Sequence, residues 1–355
     1  MKNKQEMEDL FRGDIPLIDV RAPVEFKLGA FPESRNLPIL DDRQREQVGI
    51  CYSTSGSETA TLLGHKLVSG ADRDHKIAAW VKFIKKQPSS LLYCFRGGER
   101  SRIACNWLEA EGYEVQRVEG GYKALRQCLL SAIDDLPPLT IIAGKTGSGK
   151  TQFLQQFKQS IDLEGLANHR GSAFGRHIEP QPTQLNFEND LAIHFLKRAH
   201  YSSIFLEDEG RLIGRVYLPS PLQEKMKTSP IALLEDSLEN RAKRIYDEYI
   251  ELQWSEYSNY FGSSADLEFK RYLLDAVNAI KKRLGNVAHG EISNRVLVAF
   301  KHHSQTGSLE AHLAWITLLL ADYYDPMYDY QIQKKSSRIR VTGSAQLVTD
   351  WLSSK

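Results

Sequence analysis

The chain has 355 residues, of which 41% are hydrophobic and 26% charged, with a net charge of only +1. These proportions exclude a disordered, collagen-like or disulfide-scaffold protein, and at about 150 residues per domain the length predicts two domains. The near-neutral balance argues against a polybasic protein that grips nucleic acid over its whole surface and leaves room for a local basic patch.

Taken in chain order, residues 16–21 read as a short strand, 76–86 as a helix with Ile77, Trp80, Val81 and Ile84 on one face, and 91–94 as a buried strand. Residues 101–111 are a predicted helix stopped by Gly112, 115–118 a strand, Gly120-Gly121 a turn and 122–132 another helix. Repeated strand–helix alternation implies an α/β fold with a parallel sheet covered by helices. Residues 134–138, with two acids and two prolines, are a linker, which gives a first domain over 1–133. The pattern then restarts with a strand at 139–143, a glycine-rich loop at 144–149 and a helix at 150–159. A helix at 188–199 and a strand at 203–206 complete a second α/β domain over 139–230. Residues 231–355 are expected to be a mainly helical extension, with wide apolar stripes at 234–252, 266–284 and 309–324. The longest apolar run, 313–321, is interrupted by Thr317 and is about half of the 18 or more residues that a membrane span needs. With no apolar leader after Met1, the expected location is the cytoplasm, where Cys51, Cys94, Cys105 and Cys128 stay reduced.

Cys94 opens the stretch Cys-Phe-Arg-Gly-Gly-Glu-Arg-Ser between a strand and a helix. Loop N–H groups, the helix N-terminus, Arg96 and Arg100 would all favour a thiolate there, making Cys94 a nucleophile or a carrier of a transferred atom. A lone cysteine ending a strand is more often a buried core residue, but two glycines and two arginines in the next six residues argue against that here. The Cys-x5-Arg spacing also occurs in cysteine phosphatases, so spacing alone leaves open whether the loop takes a phosphate or a carried chalcogen. Further along, Gly144-Lys-Thr-Gly147-Ser-Gly149-Lys150-Thr151 fits the phosphate-binding loop G-x-x-x-x-G-K-[ST] at every fixed position, between an apolar strand and a helix. Glycines let successive N–H groups turn around phosphate oxygens, Lys150 adds a full charge, and Thr151 is placed to hold a magnesium ion. Glu207 and Asp208 end a strand in the manner of an acidic companion to such a loop, although a solvated acidic turn would read the same way. Arg170, Ser172 and Arg176, in a second polar, glycine-containing stretch, are further candidates for contacting an anion.

The stretch Asp19-Val-Arg21-Ala-Pro-Val-Glu25-Phe, with Gly29-Ala-Phe-Pro and Asn36-Leu-Pro after it, resembles the N-terminal signature of rhodanese domains over about residues 10–130. The resemblance implies that Cys94 carries sulfur or selenium as a persulfide-like or selenide-like adduct, and that Asp19 and Arg21 are structural. A rhodanese-like domain ahead of a phosphate loop is similar, through both domains in order, to the tRNA 2-selenouridine synthase family, from whose loop pattern the chain departs at Phe95 and Glu99. That family implies a transferase acting on tRNA with 2-thiouridine at the wobble position. The sulfur is first geranylated from geranyl diphosphate, held by Gly144, Gly147, Gly149, Lys150 and Thr151, and is then displaced by selenium from selenophosphate, handled by Cys94, Arg96 and Arg100. Two rivals stay open: an RNA or small-molecule kinase with a regulatory first domain, and a non-catalytic sulfur-relay adaptor.

The remaining cysteines read as small buried residues, and neither they nor the histidines have the spacing of a metal site, so no resident cofactor or structural metal is expected. Near the C-terminus, Tyr323, Tyr324, Tyr328 and Tyr330 precede Lys334, Lys335, Arg338 and Arg340, a pairing of stacking faces and phosphate-seeking charges suited to tRNA. Helix packing followed by a solvated tail is the plainer alternative.

Overall fold

The computed structural model describes residues 3–354, which fall into two compact units. One runs to Leu136 and takes in Thr183–His200; the other comprises Pro137–Pro182 and everything from Tyr201 on.

The first unit is built on three parallel strands, β1 (Leu17–Asp19), β2 (Ser34–Asn36) and β3 (Leu91–Tyr93), in the order β2-β1-β3. β1 and β3 are buried throughout, as apolar strands between helical layers must be. Residues 115–118 lie beside β3 but make only the bridge Leu92↔Arg117, so this run is an extended edge and not the full strand expected of it. The core gathers Ile18, Val20, Trp80, Leu92, Ala104 and Leu108. The helix Gln184–Arg198, which the sequence placed in the second domain, packs here against Lys4–Arg12 and Gly121–Asp134. Buried Asn189 explains its position: its amide donates to the Ala30 carbonyl at 2.8 Å and its oxygen accepts from Arg126 at 2.7 Å. Arg126 also pairs with Glu188, and the Ala30 N–H donates to Asn186 at 2.8 Å. These partners lie 62 to 159 residues apart in sequence, beyond the reach of any local pattern.

The second unit is a five-stranded parallel sheet formed by β4 (Leu139–Gly144), β5 (Ser160–Ile161), β6 (Ile204–Glu207), β9 (Ile231–Leu234) and β10 (Ile339–Gly343), in the order β10-β9-β4-β6-β5. A separate hairpin joins β7 (Leu212–Ile213) to β8 (Val216–Tyr217). Two of the five sheet strands lie beyond residue 230, so the expected helical extension also closes the sheet. β9 is buried at every position, and a short continuous apolar run does not reveal its period, which is why Leu234 read as the start of a helix. That helix begins instead at Leu238, after Ser237, whose hydroxyl caps Asn240. The helix after the glycine-rich loop covers only Lys150–Leu154. The helices between Leu238 and Lys334, including the unanticipated Asn286–Thr306, close over a largely aromatic core with Phe269, Tyr272, Val296 and Trp315. Among the described residues no helix is long and apolar enough to cross a membrane.

Candidate functional sites

In the first unit the chemistry is concentrated at the end of β3. Cys94 is buried, and its thiol donates to Ser101 Oγ at 3.2 Å, while that hydroxyl donates to the Gly98 carbonyl at 3.0 Å. The N–H groups of residues 95–98 have no acceptor among the described residues, which leaves four backbone donors unspent in the loop that Cys94 opens. The loop is held from outside by the start of the helix Gly121–Asp134, where Tyr122 N–H reaches the Cys94 carbonyl at 2.9 Å and Lys123 N–H the Phe95 carbonyl at 3.1 Å. Gly121 makes this approach feasible: its φ is +58°, and a Cβ there would lie 2.1 Å from the Cys94 oxygen.

The two arginines of the loop part company. Arg96 is exposed and has no side-chain partner among the described residues. Arg100 is turned onto Glu25, with N–O distances of 2.5 and 3.1 Å. Burial pulls the Arg100 guanidinium down, but the Glu25 carboxylate more than offsets this and secures its charge. Burial likewise raises Glu25, while Arg100 and the Ala22 N–H bring it below the ordinary carboxylate range. Glu99 pairs with Arg102 on the helix surface, so its charge is largely absorbed there. Asp19 and Arg21 form a buried pair at 2.6 Å, extended by the Tyr93 hydroxyl to Asp19 at 2.7 Å and by Arg21 to the Gly29 carbonyl at 2.8 Å. Both Asp19 oxygens and the Arg21 Nε and Nη2 are bonded inside the fold, which is the behaviour of a structural ion pair.

In the second unit the loop after β4 leaves the N–H groups of Thr146, Gly147, Gly149, Lys150 and Thr151 without protein acceptors. Gly147 sits at φ +79° against the Arg241 carbonyl, where a Cβ would come within 2.7 Å. Lys150 Nζ folds back to the Gly144 carbonyl at 3.0 Å, and Thr151 Oγ donates to Glu207 at 2.9 Å. Three residues the sequence did not single out hold the loop from the helical side. Arg241 reaches the Thr146 carbonyl and is clamped by Asp325 at 2.7 and 2.8 Å, and Arg244 donates to the Gly147 carbonyl. The only local signal was an Arg-x-x-Arg repeat on one helix, and its targets lie 95 and 97 residues away.

Glu207 is buried with Glu164 and Glu209 beside it. Burial, then the neighbouring carboxylates, push Glu164 up to about 9 and Glu207 to about 7, and burial raises Glu209 as well. Gly171 packs onto Glu164 and Glu209, so the stretch carrying Arg170, Ser172 and Arg176 covers the carboxylates. Arg170 itself donates to Gln253 at 2.6 Å and lies over the Tyr249 ring; Ser172 caps the Phe174 N–H at 3.2 Å. Arg176 is exposed. Asp208, a substrate-binding candidate, and Lys335, a tRNA-binding candidate, are bonded to each other at 2.6 Å. Arg338 caps the Met226 and Ser229 carbonyls at 2.7 and 3.1 Å, whereas Lys334 and Arg340 stay exposed. Of the four candidate tRNA contacts, two are therefore committed inside the fold.

Comparison with known proteins covers both units. The rhodanese-like domain pattern matches residues 3–128, and the pattern described as the tRNA 2-selenouridine synthase AAA domain matches residues 137–355. A protein named tRNA 2-selenouridine synthase from Marinobacter nauticus is 44% identical over 100% of this chain and 99% of its own length. Proteins of the same name from Shewanella halifaxensis and Shewanella oneidensis are 46% and 45% identical, each over 98% of this chain and over 97% and 94% of their own lengths.

Proposed function

Because the chain belongs to the tRNA 2-selenouridine synthase family, we propose that it installs selenium at a 2-thiouridine of tRNA, acting as a transferase in two steps. In the first, the thiouridine sulfur attacks the geranyl carbon of geranyl diphosphate; a C–S bond forms, and the C–O bond breaks with its electron pair leaving on diphosphate. The phosphate loop takes that leaving group: its free N–H groups and Lys150, released from Gly144, face the developing negative charge. Thr151 and Glu207, hydrogen-bonded hard-oxygen donors, are the residues that would hold a magnesium ion, which when bound would neutralise part of the diphosphate charge. In the second step, selenide released from selenophosphate by water adds at the base C2; the C2–S bond breaks and geranylthiolate departs, taking up a proton. Alkylation matters because a thioether sulfur leaves more readily than a thiocarbonyl sulfur. Cys94, the free N–H groups of its loop and Arg96 are the residues suited to receive the selenium donor, while Arg100 is anchored by Glu25 and acts at one remove.

The observation that carries this reading is the match over both units at 44–46% identity, which includes the intact phosphate loop and the Cys94 loop together. The test is incubation of the protein with 2-thiouridine tRNA, geranyl diphosphate and selenophosphate, followed by nucleoside mass spectrometry. 2-Selenouridine, preceded by S-geranyl-2-thiouridine, is expected. ATP turnover with an unmodified base would instead favour a kinase, and a persulfide on Cys94 without any nucleoside product would favour a sulfur relay.

A further inference from the structure

A cavity of about 1010 Å³ opens beside Cys94, and every residue lining it belongs to the rhodanese-like unit. That is at the upper end of the roughly 300–1,000 Å³ typical of small-molecule sites. A single sulfur or selenium atom on Cys94 would fill little of it. The walls are largely apolar, with Leu28, Ile50, Phe95, Ile103, Trp107 and Leu185 among them. Leu28 and Ile50 are 65% and 58% exposed, and clustered exposed aliphatic side chains around a reactive group mark a binding surface.

Two further features point to a ligand. Tyr122 lines the cavity, and its hydroxyl, shut off from solvent, has no hydrogen-bond partner among the described residues. The helix Asp42–Leu67, which carries Ile50, buries only Ala60 and breaks its helical path at Gly56, where φ is +82° and the space around is open. A wall so lightly packed can shift to admit a chain. Exposed Arg45 and Arg96 also line the cavity, beside exposed Glu46 and Glu99, so its rim carries charges of both signs.

We propose that this cavity seats the hydrocarbon of the modified base: the geranyl chain of S-geranyl-2-thiouridine lies against Leu28 and Ile50, with its sulfur toward Cys94. The inference rests on the two-step reading above and adds to it a seat for the hydrocarbon beside Cys94, with the departing geranylthiol held by apolar walls.

The test is direct binding. An anticodon stem-loop RNA carrying S-geranyl-2-thiouridine is compared with the same RNA carrying 2-thiouridine, by fluorescence anisotropy, on the full chain and on its Leu28→Asp/Ile50→Asp variant. The wild type should bind the geranylated RNA at least about tenfold more tightly, and in the variant the ratio of the two affinities should fall to about one, whatever the two new charges do to both RNAs alike. Leu28→Met/Ile50→Leu should retain it. No preference in the wild type, or one that survives both aspartates, overturns the proposal. Because the readout needs no turnover, a chain that prefers geranylated RNA through Leu28 and Ile50 but fails to geranylate tRNA loses the reaction scheme and keeps the cavity; the converse result removes the cavity alone.

Discussion

Cys94→Ser keeps the volume at the end of β3 and the contact to Ser101 while removing the chalcogen chemistry, so selenation should be abolished with folding and tRNA binding retained. Nucleoside mass spectrometry beside a thermal melt checks both halves, and selenation at the wild-type rate would remove Cys94 from the mechanism. At the phosphate loop, Lys150→Ala deletes the full charge aimed at diphosphate, and loss of such a donor commonly lowers the rate 10²–10³-fold, roughly 3–4 kcal/mol. The loss should fall on geranylation, and supplying pre-geranylated tRNA should partly rescue selenation. An absence of rescue would assign Lys150 to the later step or to stability. The C-terminal basic residues divide by their partners. Lys334→Ala/Arg340→Ala should flatten the slope of log tRNA affinity against log salt by up to roughly 1.4–1.8, at about 0.7–0.9 for each phosphate contact. Lys335→Ala and Arg338→Ala should act on stability instead, since they unpair Asp208 and two carbonyls.

At the scale of elements, both loops depend on helices that come from elsewhere in the chain. The Cys94 loop is shaped by the glycine pair that opens the helix Gly121–Asp134. Gly121→Ala would combine a left-handed φ with overlap onto the Cys94 carbonyl, so it should cost more than about 1 kcal/mol and displace the loop. Chemical denaturation and selenation assays should therefore both register it, and a variant with unchanged stability and activity would show that the close approach is dispensable. The phosphate loop is held through Arg241, whose charge is buried and neutralised by Asp325. Asp325→Asn leaves that guanidinium half-compensated and should destabilise the second unit by up to about 3 kcal/mol. The Arg-x-x-Arg helix was visible in the sequence, but its grip on the loop was not, because an ion pair between residues 84 apart depends on the sheet bringing them together.

For the whole molecule, pH acts through two sets of groups with opposite signs. His194 and His312 are depressed to about 4, chiefly by burial, so between about 4 and the ordinary histidine range these groups bind more protons in the unfolded chain and their contribution to stability rises with pH. Glu164 and Glu207 are raised to about 9 and about 7, so above the ordinary carboxylate range the folded chain binds more protons, and their contribution to stability falls as pH rises through 7 toward 9. Thermal melts should show a fall in stability from pH 7 to 9 that Glu164→Gln reduces. An identical fall in that variant would place its source outside the carboxylate cluster.

The phosphate loop and the Cys94 loop were legible in the sequence because each is a short contiguous run in which glycine freedom, an adjoining strand and fixed charges must occur at set spacing. The same local signals gave the order of the two α/β domains. What only the tertiary structure decided was allegiance over distance. The helix Gln184–Arg198 joins the first unit through Asn189, and β9 and β10 return from beyond residue 230 to finish the second sheet. Lys335 goes to Asp208 and Arg100 to Glu25, which removes two cations from the surfaces they were expected to serve. A charged or amide side chain looks the same in sequence whether it faces water, substrate or a buried partner, and the choice among them is made by desolvation, which exists only once the fold has excluded the solvent.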